Sequence, residues 1–210
     1  MTIATIADTR TDVWPLLRRW IAAAAAWGAV VAALSGAGAL SALPIQSLPV
    51  FVAAGIVVPL VAVARSRPTR ALVGRIDLRH LTLFNIWRVP AALAFFAVGA
   101  AGLLPPRFVA NAAWGDLIAG IAAPLVVLIA GRLAARGRGR ARIRAYTAFH
   151  LFSFADFLVA VGTGFTFSVL GDPLMRNLLD TPMALIPLWG VPITGAISLL
   201  ALRRLATAGE

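Results

Sequence analysis

The chain contains no cysteine and no lysine. The first absence removes disulfides, thiolate metal sites and cysteine nucleophiles. The second removes Schiff-base lysines and the lysine of a Walker A loop. Charge of either sign is also scarce, at 13% of 210 residues, where soluble domains carry about a quarter. Two histidines fall short of the three or four protein ligands of a usual zinc site. No Ser/His/Asp order, phosphate-binding loop or HExxH pattern is present either. The expectation is therefore a protein without a zinc-type metal site, and a non-enzyme rather than an enzyme. An enzyme would need its chemistry from Asp116, Asp156 and the two histidines alone.

What remains is apolar. Hydrophobic residues make up 60% of the chain, and the mean hydropathy is +0.90. A hydrocarbon core of about 30 Å is crossed by about 20 apolar helical residues. Six stretches meet that length: 20–42, 47–64, 79–101, 112–131, 145–169 and 182–202. The sequence thus predicts an all-α, polytopic bundle of six transmembrane helices over 20–204. A short interfacial segment over 1–19 precedes it, and a tail over 205–210 follows. The first stretch is too long for a removable signal peptide and reads as a span that stays.

All 19 basic residues are arginine, and their placement orients the bundle. Sixteen lie before the first span, between the second and third, between the fourth and fifth, and after the sixth. Both termini are then cytoplasmic. The run from Arg132 to Arg144 invites a nucleic-acid reading, because arginine and glycine together bind phosphate readily. It joins two spans and has no interleaved aromatics. Anionic lipid headgroups are therefore its expected partner, not nucleic acid. Trp14 and Trp20 suit the headgroup level beside Arg18 and Arg19.

Short internal matches suggest three tandem helical hairpins. GIVVPLVAVAR (Gly55 to Arg65) resembles GIAAPLVVLIAGR (Gly120 to Arg132), and HLTLF (His80 to Phe84) resembles HLFSF (His150 to Phe154). Proline-bearing turns recur at Pro44, Pro105 and Pro173.

Three charges fall inside the spans, and intramembrane charges are functional hypotheses by default. Arg88 stands about 13 Å into the third span and Asp156 about 16 Å into the fifth, at 1.5 Å per residue. Both spans rise from the same side, so the two groups meet near the midplane. Asn85 lies one turn from Arg88 on the same face, Ser153 one turn from Asp156, and Ala160 and Gly164 extend that second stripe. Asp116 is expected just inside the outer end of the fourth span. The helix dipole favours a carboxylate there, and Asn111 is placed to cap the same end. In the sixth span Pro187, Gly190 and Pro192 surround Trp189, a pattern that breaks a helix and suits a cavity wall.

These features support three readings. In the first, a transporter-like or channel-like protein uses Arg88, Asp156, Asn85 and Asp116 as an intramembrane polar site for a proton or solute. In the second, the same groups only fix packing in an accessory subunit of a larger membrane complex or in a homo-oligomer. In the third, His80 and His150, at repeat-equivalent positions, ligate one b-type haem for electron transfer.

The segment FNIWRVPAALAFFAVGAAGLLPPRFVANAAWGDLIAGIAAPLVV resembles a family of uncharacterised bacterial integral-membrane proteins. In these an arginine-led apolar span is followed by a Gly-Leu-Pro turn, a Phe-Ala-like element and a Gly-Asp helix. Here those elements are Arg88, Gly102 with Pro105, Phe108, and Gly115 with Asp116. FADFLVAVGTG, which holds Asp156, and PLWGVPITGAISLLALRRL extend the likeness over about the last 130 residues. The resemblance implies a bacterial cytoplasmic-membrane location and no particular activity. It draws attention to Arg88, Asp116 and Asp156.

Overall fold

The computed structural model describes residues 14–208, and among these no strand occurs. Residues 1–13 of the expected interfacial segment and residues 209–210 of the expected tail lie outside the described residues. The helices are α1 (Trp14–Gly36), α2 (Leu48–Arg65), α3 (Arg67–Arg75), α4 (Leu78–Leu83), α5 (Arg88–Ala100), α6 (Pro106–Ala135), α7 (Gly139–Val169) and α8 (Val191–Ala208). Six stretches are long and apolar enough to cross a membrane: Trp14–Gly36, Ile45–Arg65, Leu78–Ala100, Pro106–Ala135, Gly139–Val169 and Ile186–Thr207. They are numbered below as the first to sixth spans.

The expected number of spans holds, but several ends move for identifiable reasons. The first span stops six residues early, because Gly38 turns left-handed at φ 71° just beyond it. The fourth and fifth spans overrun their apolar cores into the arginine-rich segment, since arginine is a good helix former. A turn of three residues, Arg136, Gly137 and Arg138, divides them, with Gly137 at φ 68°. The Gly137 N–H donates to Ala134 O, and the N–H of Arg138 donates to Leu133 O, closing the helix with a left-handed glycine. The expected tail over 205–210 continues α8 as far as Ala208.

Packing is centred on α6, which runs between α5 and α7, while α7 and α2 both lie against α8. The main core gathers Phe95, Leu104, Phe108, Met175, Leu178 and Ile186 in the half of the bundle away from the arginine-rich segments. At the other end Tyr146, Ala130 and Leu205 form a smaller cluster. Between these two the spans must accommodate their polar groups.

Two spans are irregular where prolines dictate it. Pro90 has no N–H for Ile86 O and its ring crowds that carbonyl. The third span answers with a 3-10 turn, Phe84–Trp87, between α4 and α5. The sixth span opens with a π-type turn, Ile186–Gly190. Pro192 leaves Leu188 O without its helical donor, and the indole Nε1 of Trp27 supplies the bond at 2.8 Å. The break expected around Trp189 is therefore present, and it is stitched to the first span.

That stitching is how α1 is held. Trp189 Nε1 donates to Ala24 O at 2.7 Å and Ser35 Oγ to Leu179 O at 2.8 Å. Its closest packing is on the π-type turn. A groove of about 680 Å³ separates its Ala25, Gly28, Ala29 and Ala32 from Pro90, Ala91 and Ala94 of the third span. The first span is thus peripheral, fastened by hydrogen bonds more than by burial.

Candidate functional site

The residues predicted to meet at mid-depth do meet. Arg88 opens α5 with only 3% of its surface exposed. Its Nε donates to Asp116 Oδ1 at 2.6 Å, its Nη1 to Ser153 Oγ at 2.9 Å, and its Nη2 to Asp156 Oδ2. Ser153 Oγ in turn donates to Asn85 Oδ1 at 3.0 Å. The Asn85 amide is anchored on Leu81 O and Thr82 O. Three spans thereby contribute to one network, and all three guanidinium nitrogens are engaged.

The local structure explains why these side chains converge. The 3-10 turn before Pro90 sets Asn85 and Arg88 on the inward face, both buried. Along α7 Ser153 and Asp156 stand one turn apart, so both reach the same guanidinium. Gly115 makes room for them. A Cβ at that position would overlap the Asp156 carboxylate. Gly120, a turn further along α6, lets the backbone of α5 approach, since a Cβ there would meet Val89 N at 2.9 Å.

Asp116 differs from its expected place. It belongs not to the outer end of the fourth span but ten residues inside it, because α6 begins at Pro106. At that depth the helix dipole does not account for it, and the ion pair with Arg88 does. Asn111, also inside α6, does not cap the helix; its Nδ2 donates to Thr163 Oγ1 at 3.0 Å.

One arginine thus faces two carboxylates. Both carboxyl side chains are only 10% exposed. Asp116 Oδ1 and Asp156 Oδ2 take the guanidinium bonds. A cavity of about 80 Å³ is lined by Arg88 and Asp116; roughly 10–15 Å³ suffices for one water. Its walls are otherwise apolar and aromatic, with Trp87, Phe95, Phe108, Phe157 and Phe165. It extends past Gly164 to Ser168, about 18 Å along α7 from the level of Asp156. Ala160 and Gly164, expected as a helix-approach stripe, are part of its wall. So are Ile186, Pro187, Val191 and Thr194 from the broken start of the sixth span.

The histidines sit in unlike surroundings. His80 is exposed on α4, whereas His150 is fully enclosed, with Nε2 3.2 Å from Thr82 Oγ1 and Nδ1 without a protein partner. Neither lines the cavity above Arg88. Sequence reasoning did not single out Thr194, whose hydroxyl accepts from Trp87 Nε1 at 2.8 Å and donates to Gly190 O. Hydroxyl residues four apart in an otherwise apolar span, Thr194 and Ser198, were the available signal. Gly190 is required beneath it, because a Cβ there would overlap the Trp87 ring.

No curated protein and no solved structure matches the chain. The profile of one family matches residues 45–206, a stretch that holds every residue of the network and leaves out α1. The chain belongs to that family, described as Domain of unknown function (DUF8737).

Proposed function

We propose that this is a small transporter-like protein of the bacterial cytoplasmic membrane that passes a proton or a small solute through the Arg88–Asp116–Asp156 site. The observation that carries the reading is the sharing of one guanidinium between two carboxylates at the wall of a cavity. A single ion pair would suffice to fix helix packing. The second carboxylate leaves a surplus negative charge, and an uncompensated charge at low dielectric costs several kcal/mol. A proton or a bound cation relieves that cost, so the site is built to take one up.

Orientation supports access from one side. By the positive-inside rule the arginine-rich loops support a cytoplasmic side for both termini, and exposed guanidinium groups there suit anionic headgroups. The cavity, on the opposite side of the network, then faces outward.

The test is an acid pulse applied to proteoliposomes loaded with a pH-sensitive dye, with potassium and valinomycin as charge shunt. Protein-dependent acidification that is lost in Asp156→Asn is the expected result. Acidification no faster than in empty liposomes, together with normal stability when Arg88, Asp116 and Asp156 are all replaced by leucine, would refute it. That outcome would leave the packing role of an accessory subunit, which the hydrogen bonding of all three Arg88 nitrogens within the bundle favours.

A further inference from the structure

We infer that the cavity above Arg88 binds an amphiphilic cation, an ammonium group on a single apolar chain, with Asp116 as its anionic contact. This rests on the reading of the network as a proton or solute site and names the class of solute.

Three observations select that chemistry. The first is which groups are spent. All three nitrogens of Arg88 already donate, to Asp116, Ser153 and Asp156, and its single positive charge is matched by two carboxylates, so an anionic headgroup would meet a network with no spare positive charge. Asp116 is 93% buried, since 7% of its surface is exposed, and it lines the cavity. Its Oδ1 is taken by Arg88 Nε, and no hydrogen bond reaches its Oδ2. The acceptor left over at the cavity wall is therefore a carboxylate oxygen.

The second observation is the charge around it. Arg88 from the third span and Asp156 from the fifth are the other charged groups of the network. The second and sixth spans offer only Leu48, Pro49, Val52, Ile186, Pro187, Val191 and Thr194 to the cavity. With both carboxylates ionised the network carries one surplus negative charge, which a monovalent cation balances.

The third is the wall. Five aromatic rings line a space of about 80 Å³ that runs along the spans. Aromatic faces attract ammonium groups, most strongly where water is excluded. A slender apolar space excludes a hydrated inorganic cation and accepts an alkyl chain. Aromatic faces and a free carboxylate oxygen together suit a chain that ends in an ammonium group.

Retention of radiolabelled decylammonium by the full-length protein in lipid nanodiscs tests the inference, with protein-free nanodiscs of the same lipid as the measure of partition into lipid. The expected result is saturable retention that Asp116→Asn weakens at least tenfold. Unlabelled decylammonium should displace the label, whereas decyl sulfate and decanol should not. Ala160→Leu, which fills the cavity and leaves every charge in place, should also weaken retention at least tenfold. This second variant keeps the test decisive should Asp116→Asn fail to fold. Equal retention by wild type and Ala160→Leu, or displacement by decyl sulfate as effective as by decylammonium, overturns the inference. Either result alongside Asp156-dependent acidification in liposomes leaves the proton site standing and removes only the amphiphilic cation.

Discussion

Gly115 decides whether the network can form. Any side chain there overlaps the Asp156 carboxylate, so the Gly115→Ala variant must push Asp156 away from Arg88. Breaking a buried pair while leaving its charges in place costs about 3–5 kcal/mol. Thermal unfolding in detergent should show Gly115→Ala strongly destabilised. Gly131→Ala is the matched control, because a Cβ there meets nothing within 4 Å. It should be neutral or gain up to about 1 kcal/mol from helix propensity. Arg88→Leu should be worse tolerated than replacement of Arg88, Asp116 and Asp156 together by leucine, since only the single change strands two carboxylates. Comparison of folded yield by size exclusion checks this.

At this scale the sequence was partly readable. Counting residues from the arginine-rich ends put Arg88 and Asp156 at one depth, because each stands in a span whose start lies at the same side. The same counting misplaced Asp116, since Pro105 and Pro106 start α6 well before its apolar core. Gly115 was invisible as a site residue for a different reason. A glycine is needed only in relation to the side chain that lies over it, and that neighbour comes from another span.

Among the elements, the sixth span shows how proline is accommodated at depth. Pro192 cannot serve Leu188 O, and Trp27 of the first span serves it instead. Trp27→Phe should therefore leave an unpaired carbonyl and cost about 1–3 kcal/mol. At this chain length each kcal/mol lowers Tm by about 2–4 °C. In a Pro192→Ala background the helix regains its own N–H donor, and the cost of Trp27→Phe should shrink. A thermal double-mutant cycle measures the difference, and full additivity would show that the indole and the proline are not linked. The break itself was legible from Pro187, Gly190 and Pro192. Its repair was not, because the donor lies 161 residues away in sequence.

For the whole molecule, length and hydropathy were enough to count the spans, whereas their neighbours were not. The tandem-hairpin expectation pairs the first span with the second, yet α1 packs most closely on the start of the sixth. Apolar alanine-rich helices carry little pairing information, since small side chains fit many partners. The absence of cysteine makes the proposed orientation simple to test. Arg107→Cys, in the first turn of α6, should react with a membrane-impermeant maleimide in intact cells. Arg136→Cys, near the tip of the α6–α7 hairpin, should react only after permeabilisation. The reverse pattern would invert the topology.

The mid-depth position of the Arg88 network has an electrical consequence. A unit charge crossing the full membrane gains about 2.3 kcal/mol per 100 mV. With the arginine-rich end on the negative side, a cation that enters from the cavity end and stops at Asp116 crosses about half of that field. Its binding is then strengthened by about 1.1 kcal/mol per 100 mV, close to sevenfold in occupancy. A cell that energises its membrane would load the site more fully from outside, and collapse of the potential would lower its affinity by that same factor without any change in the protein.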